Sequence, residues 1–506
     1  IAAPDSHGGV SLRYTRSDAV DGWSPQVELG GYRAEVRPMA WYLGYEKLDW
    51  DRFERPFDLD TLTAAFGIKP RHDLGLFVFA DASRQDSQPF SDTGFTYDLD
   101  DRLDTRRLDL GASFRRAPDD LVWFKLGYFR SDEDIDGTQG LSSITASSQV
   151  EVPEIALRHA FDSAGGHHLT WGVDAGRRMT DARMEDDFFL RSDYRVAESS
   201  FDLYLADRFA LSDTLELDTG LFWQRQRRHA TEQPYFTLFD PPEAGTPIED
   251  TRNTSQLNPR LGLVWRPAAT ARLRLAYQDW LRPTTFSALQ PVATAGLPLD
   301  DRLVVRGGEM QRLRVQGEWE RSARTFLSAH ADFKRIDNHL LDIRPPAYSD
   351  LENLGKLRPR DLGALMRDDL YEVSGTPDYA GGDIASVGLS VNHVLNREWS
   401  LNARYVWTDS ENADNAALDV PYLPRHALGL GATWVDTSGW YVAGRLAWRD
   451  HRYQDEANSA RLDAGWSGDV DVFRESRDKR WLFRLSANNL FGDAPEQITA
   501  EVNYRF

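Results

Sequence analysis

Seven arginines at polar positions of alternating stretches are the first residues whose types suggest chemistry. Arg272 and Arg274 lie in ARLRLAYQ, Arg312 and Arg314 in QRLRVQGEWE, and Arg404, Arg445 and Arg484 in NARYV, GRLAW and LFRLS. Each takes a polar position in a stretch where polar and apolar residues alternate, so each sits on the polar face of a strand. A guanidinium is a permanent cation, and a file of them would line a path for anionic solutes or polymers. Glu216, Asp218, Glu318 and Glu320 share that face. The same arginines therefore equally suit cross-strand ion pairs that hold a hydrated wall together.

A second candidate is SDEDIDGTQG at 131–140, where Asp132, Asp134 and Asp136 alternate before Gly137. Carboxylate oxygens at this spacing can wrap a calcium ion. The twelfth position from Asp132 is Ser143 rather than a bidentate glutamate, and no helical pattern flanks the stretch, so an EF-hand is excluded. A looser divalent-cation site in an external loop and a plain solvated acidic loop both stay open. His167 and His168 are adjacent, point to opposite faces of a strand, and cannot easily share a metal. The chain has no cysteine, hence no disulfide or thiolate metal site. It shows no Gly-rich phosphate loop and no G-x-S-x-G nucleophile elbow. No catalytic residue and no cofactor is indicated, and the expectation is not an enzyme.

The elements that carry these residues are strands throughout. Trp481, Phe483, Leu485 and Ala487 alternate with Arg484, Ser486 and Asn488; Leu215, Leu217, Leu221 and Trp223 alternate with Glu216 and Asp218. Mean hydropathy is −0.54, and no run approaches the roughly 18 apolar residues of a membrane helix. Alternation in segments of about 10 residues is instead what a transmembrane barrel requires. Sixteen Trp, 18 Tyr and 25 Phe supply material for interfacial girdles, and a net charge of −21 argues against nucleic acid as partner. Short Pro/Gly/Asp-rich turns, such as RRAPDD, DSAGG and DTSG, alternate with longer polar segments at 132–147, 181–197, 229–255, 281–308, 338–382, 409–423 and 450–461. This pattern predicts an all-β, antiparallel transmembrane barrel of about 22 strands, with tight periplasmic turns and long extracellular loops. Residues 1–8 are expected as a periplasmic lead-in and 9–506 as the barrel, with both termini periplasmic. The longest connection, 338–382, is expected to fold as an ordered loop that narrows the pore. No signal peptide is visible at IAAPDSHGGV.

Several stretches resemble a known family. LNPRLGLVWRPAATARLRLAYQDWLRPTTFSAL (257–289) and WLFRLSANNLF (481–491) look like strands of TonB-dependent outer-membrane receptors. The terminal VNYRF is similar to the aromatic-ended signal read by the barrel-assembly machinery, which marks Val502, Tyr504 and Phe506 as an assembly signal. The resemblance implies a bacterial outer-membrane location among lipid and lipopolysaccharide, and twenty-two strands. Those receptors carry a plug domain and a TonB-docking motif before the barrel, and neither is visible here. The stretches 26–52, 288–296 and 417–441 resemble the carboxy-terminal barrels of outer-membrane proteins with periplasmic tetratricopeptide repeats, although no such repeat occurs in this chain. Three expectations follow. One is a plugless transport pore that passes a polymer or large solute with a periplasmic domain or partner. Another is a TonB-dependent uptake barrel whose plug is missing or supplied in trans, and the third a structural or adhesive barrel without transport.

Overall fold

Alternating apolarity pays off only if one face of each strand meets lipid and the strands close without an edge. In a computed structural model they do. The structure describes residues 5–17, 20–34, 37–52, 55–88, 97–139, 142–186, 190–237, 242–284, 289–300, 303–339, 379–453, 455–459, 461–491 and 496–506. The first eleven long strands are β1 (Asp5–Ser17), β2 (Val20–Arg33), β3 (Met39–Arg52), β4 (Arg55–Arg71), β5 (Leu74–Ser87), β6 (Tyr97–Ala117), β7 (Asp120–Gln139), β8 (Ser142–Ser163), β9 (His167–Asp186), β10 (Leu190–Ser212) and β11 (Leu215–Phe236). They continue as β12 (Ile248–Ala268), β13 (Ala271–Leu281), β14 (Glu309–Ser322), β15 (Thr325–Asp337), β16 (Gly381–Val394), β17 (Trp399–Asn412), β18 (His426–Val435), β19 (Trp440–Arg449), β20 (Gly465–Glu475), β21 (Trp481–Leu490) and β22 (Gln497–Arg505). Each pairs antiparallel with its neighbours in sequence, and β1 pairs with β22, Gly9 opposite Arg505 and Ser17 opposite Gln497. The result is a closed barrel of 22 strands, as expected.

The first described residue, Asp5, the last, Phe506, and the tight turns from 72–73 through 476–480 that join β4–β5, β6–β7 and every second pair after them lie at one rim, called here the turn end; the opposite rim is the loop end. The outer face is apolar, with Leu203, Leu221, Leu261, Leu275, Leu446 and Leu485 among its exposed side chains. Near the turn end it carries tryptophans, Trp265, Trp319, Trp399, Trp440 and Trp481, all exposed. Indole rings at this height form the girdle that an interfacial headgroup layer favours.

Strands β6 to β12 are longer than the alternation suggests. The stretches 132–147 and 181–197, expected as loops, are mostly strand: β7 runs to Gln139, β8 starts at Ser142, β9 runs to Asp186 and β10 starts at Leu190. Above the apolar band both faces of a strand meet water, so hydropathic alternation disappears while the hydrogen-bond ladder continues. Similarly, β11 and β12 take most of 229–255, and β1 begins at Asp5 instead of near Gly9. The end strand fits its sequence reading: Ile498, Ala500, Val502, Tyr504 and Phe506 share the outer face, with Tyr504 against Trp481 at 4.6 Å. Gly8 and Phe506 exchange backbone hydrogen bonds of 3.0 and 2.9 Å across the seam.

Candidate functional site

The inner wall is wet and paired. Arg274 and Arg272 reach Glu318 at 3.1 and 3.7 Å, Arg484 reaches Asp471 at 2.8 Å, and Arg445 stands directly across from Asp469. Arg312 grips Asp332 with Nε and Nη2 at 2.8 and 2.7 Å, and Arg314 adds a third contact at 3.2 Å. Arg404 takes its place on the same face, across from Ser390 and Gly429. A fork held on both carboxylate oxygens at a buried site is a fixed wall element. Asp132, Asp134 and Asp136 stand on the outer face of β7 instead of in a loop. Asp132 is bound by Arg130 at 2.8 Å, and among the described residues no group of three ligands gathers where a metal could sit.

The feature that organises the lumen is one that sequence reasoning placed elsewhere. The connection between β13 and β14 folds inward against the inner wall as a strap. Its stem is fixed where β13 stops: Gln224 donates to Leu281 O at 3.0 Å and accepts from Leu281 N at 3.1 Å, and Gln226 donates to Arg282 O at 2.5 Å. Arg282 N donates to Gly308 O at 2.9 Å, closing the stem on itself. Further in, the carboxylate of Asp174 accepts from the backbone N–H of Leu289 and Gln290 at 3.1 and 3.0 Å. Arg260, stacked 3.7 Å over Phe222, donates to Pro291 O at 2.5 Å.

The strap's tip is a two-residue hairpin in which Ala293–Thr294 pairs with Leu297–Pro298. Its central residues, Ala295 and Gly296, have φ of 52° and 72°, the left-handed pair of a type I′ turn, which costs little at glycine and more at alanine. Wall contacts offset that cost. Asp218 accepts from Ala295 N at 2.7 Å and Arg274 donates to Ala295 O at 2.6 Å. Gln278 and Arg312 donate to Leu297 O and Pro298 O at 3.0 and 2.8 Å. Gly262 lets the tip come this close, because a Cβ there would meet the Ala295 Cβ at 2.8 Å. Thus Arg274 and Arg312, expected as lumen residues, do a second job as the seat of the strap, and Glu318 holds the Arg274 guanidinium from the wall side.

The returning limb ends in a small buried core at the loop end. Leu303 and Val304 pack with Trp280, Met310, Ile336, Tyr379, Ile384, Val420 and Leu423. Tyr379 donates to Leu303 O at 3.0 Å, and burial pushes its phenol pKa upward. Beside this core, Glu198 is fully buried among three guanidiniums, those of Arg228 at 2.8 Å, Arg306 at 3.6 Å and Arg178 at 3.9 Å. Arg228 also donates to His339 O at 2.5 Å. His339 Nε2 lies 3.1 Å from Glu309 Oε1, and that hydrogen bond raises the imidazole pKa against an opposing burial effect. The expected pore-narrowing segment 338–382 falls largely on 340–378, outside the described residues.

Beside the strap the lumen keeps a cleft of about 570 Å³ towards the turn end. Tyr32, Phe77, Trp123, Lys125 and Asp109 border it from the wall, and Leu289 from the strap. Lys125 bridges Glu154 and Asp109 at 2.9 and 3.4 Å. Among the described residues no separate domain fills the barrel; the space that remains is amphipathic.

This wall matches a known family over residues 41–301, described as TonB dependent receptor-like, beta-barrel. The chain belongs to that family. No curated protein matches it in sequence. Among solved structures it is similar to the ferric yersiniabactin uptake receptor FyuA from Yersinia pestis, with a TM-score of 0.73 at 12% identity, covering 100% of this chain and 81% of that one. The ferric citrate transporter FecA in its unliganded form gives 0.71 at 12% identity, covering 100% and 79%. The copper transporter OprC gives 0.70 at 11% identity, covering 100% and 83%. At these identities the likeness is one of fold. The TonB-dependent receptor-like barrel places the chain in the bacterial outer membrane.

Proposed function

We propose that this barrel is the outer-membrane conduit of an uptake system, with the loop end outside the cell and the turn end and both termini in the periplasm. The observation that carries the reading is the strap. It is pinned to the inner wall by Asp174, Asp218, Arg260, Arg274 and Arg312 and leaves beside it an amphipathic cleft bordered by Tyr32, Phe77 and Trp123. A 22-stranded barrel is wide enough to need closing, so a plug-like element or periplasmic partner seats against this cleft from outside the described wall. The cargo is a compact solute of the metal-chelate class, a reading supported by family membership and by neighbours named for ferric yersiniabactin, ferric citrate and copper. Val502, Tyr504 and Phe506 serve as the strand-end signal for the barrel-assembly machinery.

The test pairs purified chain with whole cells. In a planar bilayer the chain alone carries a steady ion current through the cleft, and a silent bilayer would overturn the conduit reading. In cells, uptake of a labelled ferric chelate falls when either this chain or TonB is deleted. Loss of a secreted polymer with unchanged chelate uptake would replace import by export.

A further inference from the structure

Lumen cations such as Arg274 and Arg484 sit on carboxylates, those of Glu318 and Asp471. Three at the turn end do not. Lys69 and Arg115 are exposed, and Arg158, half-buried, stacks over the Trp123 ring at 5.1 Å. Among the described residues no ion pair or side-chain hydrogen bond reaches any of the three. Lys69 and Arg115 each follow a cleft-lining residue, Gly67 and Ser113, by two positions, so they share its inner face. The three stand on alternate strands, β4, β6 and β8, which sets neighbours about 10 Å apart across the sheet, two strand spacings.

Beside them lies the cleft of about 570 Å³, and one cross-strand row gives it its shape. Tyr32, Ala40, Gly67, Phe77, Gly111 and Lys125 face one another in turn across β2 to β7. Only Ala40 and Gly67 separate the two rings, so Tyr32 and Phe77 rise about 14 Å apart at Cα, three strand spacings, from a flat floor. That floor is open, because a Cβ at Gly67 would meet nothing nearer than Leu76 O at 3.8 Å. Tyr32 is 51% exposed and Phe77 46%, and large apolar surface left bare in this way marks a place where something binds. Lys69 lies about 7 Å along the strand from the Gly67 floor, on the turn-end side. At the far end of the row Lys125 is taken by Glu154 and Asp109 at 2.9 and 3.4 Å, so that end is acidic on balance. A flat aromatic ring fits the floor between Tyr32 and Phe77, with a negative group towards Lys69 and Arg115. The reverse pose sets that group against Glu154 and Asp109.

We propose that the turn-end half of the lumen holds a binding site for a compact aromatic anion, an aryl carboxylate or phenolate, with its ring between Tyr32 and Phe77 and its charge on Lys69 and Arg115. As a station for departing cargo the site rests on the conduit reading, but its occupancy is measured without transport. The purified barrel in detergent is titrated with 4-fluorobenzoate and followed by fluorine NMR, alongside K69Q/R115Q, G67L and a control, R335Q/R425Q, that removes two cations at the loop end. Wild type and control bind equally, and K69Q/R115Q binds about tenfold more weakly. G67L, which keeps every charge and fills the floor, loses binding while keeping its heat-modifiable mobility on SDS gels. On wild type, trifluoroacetate (charge without ring) and 4-fluorobenzyl alcohol (ring without charge) each bind about tenfold more weakly than 4-fluorobenzoate, a comparison that needs no variant to fold. Equal binding by K69Q/R115Q overturns the proposal, as does equal binding of either fragment. A silent planar bilayer with intact 4-fluorobenzoate binding refutes the conduit and leaves the site standing; a conducting barrel that ignores 4-fluorobenzoate refutes the site alone.

Discussion

Removing the two carboxylates that hold the strap by its backbone should release it. In D174A/D218A three N–H groups, those of Leu289, Gln290 and Ala295, lose acceptors at 3.1, 3.0 and 2.7 Å. Hydrogen bonds to a charged partner contribute about 1.5–3 kcal/mol each. Part of that sum is returned, because two carboxylates no longer have to be held away from bulk water. A net loss of about 3–4 kcal/mol for the seated strap is expected, roughly a hundredfold to a thousandfold shift towards the released state. The anchors from Arg260, Gln278 and Arg312 to strap carbonyls remain, so release is a shift in population and not a collapse. The absence of native cysteine makes the assay direct. Thr294, 2% exposed at the tip, is replaced by cysteine and its reaction with a charged maleimide is timed in reconstituted barrel. T294C should react slowly, and T294C/D174A/D218A at least tenfold faster, with a larger and noisier single-channel current. Equal labelling rates and equal currents, in protein whose SDS resistance is unchanged, would show that the strap is not held by these carboxylates.

Gly262→Leu attacks the same seat sterically, since even a Cβ meets Ala295 at 2.8 Å; its current should resemble that of D174A/D218A, and a wild-type current would count against close seating. Arg312→Met leaves Asp332 buried with Arg314 as its one remaining close arginine, a break that typically costs about 3–5 kcal/mol; heat modifiability should shift to lower temperature, with partial recovery in R312M/D332L. His339, beyond the end of β15, has its pKa raised by Glu309. Its contribution is therefore complete below the ordinary histidine value of about 6.5 and fades as pH rises through the higher folded value. Its chain neighbour Asn338 accepts from Val305 N at 2.9 Å, so hydrogen exchange of 303–308 should accelerate across that window in wild type and lose the dependence in H339Q; a pH-independent wild type would contradict this coupling. Finally, Phe506→Ser should lower the yield of assembled barrel in cells while refolded protein in detergent keeps its strand content, and normal assembly would remove Phe506 from the signal.

Which parts were legible follows from where the information is stored. The barrel was legible because every strand repeats the same local contrast of lipid and water, as in Leu273, Leu275 and Tyr277 against Arg272, Arg274 and Gln278, and a period of two survives without any knowledge of neighbours. The contrast stops where lipid stops, which is why Asp132 to Asp136 read as a loop although the ladder of β7 runs on to Gln139. The strap was invisible for a different reason. Its own residues, QPVATAGLP, look like any polar, proline-bearing connection, and its fold depends on wall groups up to 116 positions away in sequence. The signal that was available lay on the wall: Asp174 and Asp202 stand directly opposite each other, and Asp218 and Arg260 have glycines as cross-strand neighbours, Gly262 and Gly220. Facing acids and glycines beside buried charges on a lumen face are poor barrel design unless another piece of chain arrives to use them. Inside the wall the missing partner proved to be the strap's backbone, which Asp174, Asp218 and Arg260 hold directly.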